Sequence, residues 1–362
     1  MKTSIGSLIL ILLLLPLWAA PKAKPAEKFR LIHSDKLFLS KVGEEQILEL
    51  LGNVHFYYGK TEFKSNRAMI FEQQKIARLN GNVKVSNDTL SMSADSVAYY
   101  RIPEVMNLGG KVLITEKKPS GSLRWFKANN AAFNKKEDKL TAWGDVQSYD
   151  REENATLKCG YGFWDRKSGY AYLIEKPKLW TGKQDTLYVE ADKMEFFDKE
   201  RKLIATFNVK TKSKDYQTNS DFLIYFLKED KAVFSGEPSF ISEYATARAR
   251  EFYLFFKDRK LERAELRDSC VVMFAEERNA PQTNRVSAGF IEILFRDENI
   301  SRFRAEDKVS YYYLQEKTEK KDYFMNSATG EYLEANFNKD NKLDFMNMKK
   351  SIRGTYKFHN NS

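Results

Sequence analysis

The sequence has few of the residues that carry catalysis. Its 362 residues include two cysteines and three histidines. His33, His55 and His359 lie in separate segments, and no Ser/His/Asp set, metal-ligand spacing or glycine-rich phosphate loop accompanies them. The sequence therefore predicts a non-enzymatic protein with no metal site and no cofactor. A β-solenoid polysaccharide lyase is the enzymatic alternative, and it would need acidic and basic residues that converge on one outer face.

Cysteine is too rare to form a disulfide framework. Cys159 and Cys270 are far apart in the sequence and match no metal-binding spacing. In an oxidising compartment they could pair. Two unpaired, half-buried thiols fit the sequence equally well, so both alternatives stay open.

Charge is nearly absent from the first twenty residues, in which Lys2 is the only charged side chain. Residues 5–20 are mainly apolar and end in small residues, which is typical of a secretory signal. The run is short for a transmembrane helix. We expect a signal peptide over residues 1–20 and a linker over residues 21–29.

The residues around the expected cleavage site leave an alternative open. A cut after Ala20 would place Trp18 at the third position before it and Pro21 directly after it, and both are unfavourable. An uncleaved anchor in the inner membrane is therefore the second interpretation of this segment.

The charge balance is only mildly basic. Without residues 1–20, 59 basic residues remain against 50 acidic ones, and the two signs are interleaved throughout. Nucleic-acid binding would need basic residues concentrated on one element, so we do not expect it. The excess fits a hydrated surface, or alternatively a basic rim that meets the phosphates of an anionic lipid.

Helix signals are also scarce, and the chain instead repeats a two-strand unit. Aromatic and β-branched residues alternate with polar ones between short charged turns, which indicates strands. Each unit has a small residue followed by Asp or Asn, an apolar-aromatic strand, a charged turn, Leu, and Gly-x-Val. The Asp or Asn of the clearest units, which we interpret as turn residues that bond their own backbone, are Asn66, Asp95, Asn129, Asp192 and Asp221.

The alternation predicts one dry face and one wet face throughout, as in antiparallel sheets with a solvated side. Leu79, Val83 and Val85 alternate with polar residues, and so do Leu203, Ala205, Phe207 and Val209 in a later unit. Because a single unit cannot bury its apolar side alone, the units must stack. We expect about twenty strands in two sheets of ten, which extend over about 45 Å.

Three motifs, Leu51-Gly52-Asn53-Val54, Leu79-Asn80-Gly81-Asn82-Val83 and Leu108-Gly109-Gly110-Lys111-Val112, resemble the recurring unit of the OstA-like family. The resemblance covers residues 30–240 well and residues 241–352 loosely, and it leaves residues 353–362 as a tail. It implies an all-β, elongated, V-shaped β-jellyroll of about ten two-strand units.

The LptA-type members of this family imply a function. By that resemblance the chain is a periplasmic protein that carries lipopolysaccharide from the inner to the outer membrane. Its partners would be lipopolysaccharide, the export proteins of both membranes and further copies joined end to end. The alternative is a structural or assembly β-repeat protein that associates through its end strands without lipid. The residues expected to line the acyl groove are Leu79, Val83, Val85, Val97, Leu108, Val112, Ile114, Val146, Met194, Phe207 and Val209.

Overall fold

The computed structural model describes residues 28–118, 120–182, 187–214, 216–258, 260–275, 281–296, 299–317, 322–338 and 343–359. The expected signal peptide, and the expected linker up to residue 27, lie outside the described residues. The described part consists of strands and turns, and it contains no helix that could cross a membrane. The expected all-β, repeat-built jellyroll class is confirmed.

The described residues form 26 strands. The first thirteen are β1 (Phe29–His33), β2 (Lys36–Val42), β3 (Glu45–Tyr58), β4 (Thr61–Phe71), β5 (Ile76–Ser86), β6 (Leu90–Tyr100), β7 (Val105–Lys117), β8 (Leu123–Asn134), β9 (Lys139–Asp150), β10 (Ala155–Asp165), β11 (Tyr170–Ile174), β12 (Lys178–Thr181) and β13 (Leu187–Glu190). The other thirteen are β14 (Lys193–Phe197), β15 (Lys202–Lys212), β16 (Tyr216–Phe226), β17 (Lys231–Ser235), β18 (Ser239–Ser242), β19 (Ala245–Arg248), β20 (Glu251–Lys257), β21 (Lys260–Phe274), β22 (Asn284–Arg296), β23 (Asn299–Lys317), β24 (Asp322–Phe337), β25 (Leu343–Lys349) and β26 (Arg353–His359).

The strands form one antiparallel meander. This sheet is bent along a line that crosses the middle of the long strands. In β3 the pairing with β4 shifts between Leu51 and Val54, and each later long strand pair from β4 to β24 has a similar shift near its middle. Half-sheet A comprises β2, β11, β14, β17, β20 and β25 together with the strand parts that pair in line with them. Half-sheet B comprises β1, β12, β13, β18, β19, β26 and the remaining strand parts.

The molecule is longer than the sequence analysis predicts, because the bend places a part of every long strand in each half-sheet. Fourteen of the strands are long and run through both half-sheets. The other twelve are short and form six consecutive pairs, in which one strand lies in each half-sheet. The chain therefore runs through both half-sheets twenty times. Each half-sheet therefore holds about twenty strand segments rather than ten. At about 4.8 Å per strand, the stack extends about 90 Å along the bend.

Glycine at the bend is required by both conformation and space. Gly110 has a φ of +76°, and a Cβ at that position would lie 2.4 Å from Oδ2 of Asp95. Gly81 has the same φ, and its Cβ would lie 2.7 Å from Nδ2 of Asn66. A β-bulge of this kind bends a strand sharply, and its positive φ favours glycine.

The interpretation of the recurring Asp and Asn residues as turn residues at strand starts is wrong. Asn66 and Asp95 lie in the middle of β4 and β6, against the bend glycine of the next strand. At an equivalent bend, Asn208 donates a hydrogen bond of 2.7 Å from Nδ2 to Oδ2 of Asp192. Asp192 therefore connects neighbouring bends by a hydrogen bond, and Asn66 and Asp95 pack against the bend of the next strand.

The expectation that the outer face is wet throughout is also wrong. On the outer face of half-sheet A, Tyr170 contacts Phe197 with ring centroids 5.2 Å apart, and Lys202 lies 4.4 Å above the Phe197 ring. Further along, Lys231 lies over the rings of Phe226 and Tyr253. The rings are half-buried because the lysine side chains cover them while their charged ends reach water.

The repeat continues past the boundary expected at residue 352. Arg353–His359 forms β26 and pairs with β24, so most of the segment expected to be a tail is the last strand of half-sheet B.

Candidate functional site

The candidate site is the interior between the two half-sheets. Ten of the eleven residues expected to line a groove point into this interior, and each is no more than 3 % exposed: Leu79, Val83, Val85, Val97, Leu108, Val112, Ile114, Val146, Met194 and Val209. Their placement in one continuous apolar interior follows from the strict alternation of each strand on either side of the bend. That they contact an acyl chain remains a prediction.

Phe207 is the exception, and its expected inward position is wrong. Its side chain is 62 % exposed, and its φ is +59°. The pairing of β15 with β16 jumps from Thr206 to Val209, so Phe207 and Asn208 form the bulge in which alternation is lost. Alignment with Gly81-Asn82 would have found this, because Phe207-Asn208 takes the place of that pair at the bend.

Aromatic residues that were not predicted join the two half-sheets across the interior. Phe63 of half-sheet B stacks on Tyr99 of half-sheet A with centroids 5.8 Å apart. Phe126 and Trp164 make an edge contact at 5.0 Å between the same two halves. These aromatic residues lie at every second position of their strands, in step with the inward residues, and that alternation could have identified them. The interior is therefore closely filled in this structure.

The side opposite the bend, where turns of the two half-sheets face each other, is called the open side. It contains a small cleft of about 10 Å³, which is room for about one water molecule. Its floor is apolar, and its rim carries Ser86 and Asn87 from half-sheet B and Lys135 from half-sheet A. The residues that line it are Thr61, Val85, Ser86, Asn87, Leu90, Met92, Met106, Phe133 and Lys135.

Next to this cleft, a cluster of charged side chains (the ion cluster) connects the two half-sheets across the open side. Glu116 lies at an inward position of half-sheet B, and its side chain is 11 % exposed. Arg124, also on half-sheet B, donates from Nη2 to Oε2 of Glu116 at 2.6 Å. Arg166, in a turn of half-sheet A, donates to Oε1 of Glu116 at 2.5 Å and to Asp138 at 2.6 Å.

Burial alone would raise the pKa of the Glu116 carboxyl, but the guanidinium groups of Arg124 and Arg166 outweigh burial and hold that pKa below its usual range. The carboxyl is therefore ionised at neutral pH. A second ion pair, Arg201 to Glu153 at 3.2 Å, also joins a turn of half-sheet A to a turn of half-sheet B.

Within the described part of the chain, the strands at both ends of the interior have pairing partners on one side only, and they expose apolar side chains. Leu39 on β2 is 72 % exposed, and Phe358 on β26 is 70 % exposed. The exposed large apolar residues of the two end regions are Phe29, Ile32, Leu37, Phe38, Leu39, Val42, Leu343, Phe345, Met346, Ile352, Tyr356 and Phe358. Unpaired edge strands of this kind are templates for strand addition.

The two cysteines are buried and unpaired, so of the two alternatives the structure has free thiols. Burial raises the pKa of each thiol to about 12. Among the residues that the structure describes, no group of three or more His, Cys, Asp or Glu side chains is arranged to hold a metal ion.

Comparison with known proteins supports the family resemblance in the N-terminal part. Residues 26–120 match the family model of the OstA-like protein, which confirms the resemblance over that segment. No curated protein sequence matches the chain. Among solved structures, the chain is similar to LptH from Pseudomonas aeruginosa, described as the LptA homologous periplasmic component of the conserved lipopolysaccharide transport device. The two share 11 % sequence identity and a TM-score of 0.30, over 32 % of this chain and 82 % of that one.

Proposed function

We propose that this protein is a periplasmic binding protein that carries lipopolysaccharide between the inner and outer membranes, with the acyl chains held between the half-sheets. The observation that carries the proposal is one continuous apolar interior with exposed apolar side chains at both ends of the described part of the chain. The OstA-like match of residues 26–120 supports the same function.

The distribution of polarity fits an amphiphilic ligand. Val85, Met92 and Phe133 give the small cleft an apolar lining, of the kind that acyl chains would contact once the half-sheets have moved apart. Cationic side chains at the open side, Lys135 and Arg166 among them, suit the phosphates of a headgroup that stays in water. Because the interior is closely filled, entry of a lipid requires the half-sheets to move apart at the open side. Its partners would be the export proteins of both membranes and further copies joined at the exposed ends.

Analysis of co-purifying lipid tests this function. The protein is isolated from the periplasm without detergent, and its lipid extract is examined by mass spectrometry. We expect lipopolysaccharide at a substantial fraction of the protein's molar amount. An extract that contains only the phospholipids found with an unrelated periplasmic protein would contradict the proposal.

One observation favours a second function. The close contacts across the interior, such as Phe126 with Trp164, are those of an ordinary packed core. Together with the exposed end strands, they fit a structural β-repeat protein of the envelope that associates end to end without lipid. The lipid extract distinguishes the two functions.

A further inference from the structure

Glu116 is a charged side chain at an inward position of half-sheet B, at the edge of the apolar interior. It follows Val112 and Ile114 on the inward face of β7. Each of its two carboxylate oxygens accepts a hydrogen bond from a different arginine, and the two arginines belong to opposite half-sheets. The carboxylate therefore connects the two halves of the molecule through charge-assisted hydrogen bonds, which are stronger than neutral ones.

The ion cluster covers an apolar contact between the same two halves. Phe126 and Trp164 lie two residues inward from Arg124 and Arg166 respectively, with centroids 5.0 Å apart. A Cβ at Gly162 would lie 2.4 Å from the Trp164 ring, so this glycine provides the space for the indole. Separation of the half-sheets here requires that the bonds to Glu116 break first.

We propose that Glu116, Arg124 and Arg166 form a latch on the open side, and that a phosphate group of an amphiphilic ligand releases it by replacing the Glu116 carboxylate on the two guanidinium groups. The proposal rests on the proposed function, and it adds a site that selects phosphate-bearing lipids. No covalent bond changes in this exchange.

The chemistry of the arginines supports the exchange. A planar guanidinium group binds carboxylate and phosphate with the same fork of donors. A phosphate monoester carries about −1.5 to −2 charges at neutral pH, more than the carboxylate that it replaces. Glu116 gains water when the side opens, which offsets part of the loss of its partners.

The test compares the wild type with Glu116→Gln, Arg166→Gln and the control Arg67→Gln. Arg67 pairs with Glu49 at 2.6 Å, but both residues lie in half-sheet A, so this pair does not cross the open side. The first measurement is the rate at which each protein takes up N-phenyl-1-naphthylamine, an apolar dye without phosphate. We expect uptake about tenfold faster in both latch variants, as loss of one charge-assisted hydrogen bond implies, and wild-type uptake in Arg67→Gln.

The second measurement separates the anion site from a general loosening of the fold. Affinity is measured for lipid A with two phosphates and for the same lipid after removal of its phosphates. We expect Arg166→Gln to lower the preference for the phosphorylated lipid about tenfold, and Glu116→Gln to keep or increase it. A merely structural role would shift both variants in the same direction.

Each outcome decides one part of the proposal. Unfolding in urea checks that the variants are folded, and Arg166→Lys, which keeps the charge but loses the fork, replaces Arg166→Gln if that variant does not fold. If dye uptake is unchanged in both latch variants, the latch is wrong, but the proposed binding of lipid between the half-sheets still stands. An unchanged phosphate preference in Arg166→Gln would overturn the exchange. If none of the four proteins binds dye or lipid, the proposed function itself is wrong.

Discussion

At the scale of single residues, the direction of each side chain depends on its distance from the bend. Val83 lies one residue after the Gly81-Asn82 bulge and is fully buried. Phe207 lies in the equivalent bulge of β15 and is exposed. Hydrophobicity alone therefore does not indicate which side chains face the interior.

A pair of substitutions tests this difference. Val83→Asp places a carboxylate among apolar side chains, and we expect it to lower the free energy of unfolding by about 3 to 5 kcal/mol. Phe207→Asp changes an exposed side chain, and we expect a change within about 0.5 kcal/mol. Urea denaturation followed by circular dichroism measures both. Comparable losses in the two variants would show that the assigned direction of Phe207 is wrong.

The two thiols give a pH-dependent prediction. Because burial raises the pKa of Cys159 and Cys270 to about 12, both remain protonated and inaccessible at pH 8 in the folded protein. We expect a thiol reagent to label them slowly in buffer and to label two thiols per chain rapidly in denaturant. The same shift makes the folded protein less stable as the pH rises from the ordinary thiol value of 9.0 toward 12.

Rapid labelling of the folded protein would contradict the burial of the two thiols. If no thiol reacts in denaturant without a reductant, the cysteines form a disulfide instead.

At the scale of elements, the bend determines the architecture. Gly110 combines a φ of +76° with close contact to Asp95, whereas Gly43, with a φ of +62°, has nothing within 4 Å of the position of a Cβ. We expect Gly43→Ala to cost about 1 kcal/mol, from the left-handed conformation alone. Gly110→Ala should cost about 2 to 3 kcal/mol, because crowding against Asp95 adds to that strain.

The free energy of unfolding of the two glycine variants measures the difference. Equal losses at Gly43 and Gly110 would mean that Asp95 yields to the added methyl group and that the bend is less crowded than the distances indicate.

The repeat, its strands and the glycine positions could be predicted from the sequence, because alternation and turn residues are local signals. A bend at the glycine could also be predicted, because a glycine within a strand pattern indicates a bulge. The mid-strand place of Asn66 opposite Gly81 could not be predicted, since it depends on pairing between strands. The outer aromatic residues of half-sheet A were missed because they recur at every second position, as core residues do. The sequence does not show that lysine side chains cover their rings. The contact from Glu116 to Arg166 spans 50 residues, and it depends on how the two half-sheets face each other.

At the scale of the whole molecule, the exposed ends predict end-to-end association. A head-to-tail contact does not close, so the mass in sedimentation should increase with protein concentration. Leu39→Lys places a charge on the β2 edge and should reduce this association. Ile102→Lys changes an exposed apolar residue in a turn away from the ends and should have no effect. A monomer at every concentration in the wild type would contradict the prediction.

Site-specific photo-crosslinking tests the central claim, that acyl chains lie between the half-sheets. p-Benzoylphenylalanine is introduced in cells at Phe133, which lines the cleft of the open side, or at Phe207, which is equally aromatic but lies on the outside. We expect a crosslink to lipopolysaccharide from position 133 and none from position 207, with both proteins folded. Equal capture at the two positions, or capture at position 207 alone, would contradict an interior lipid site.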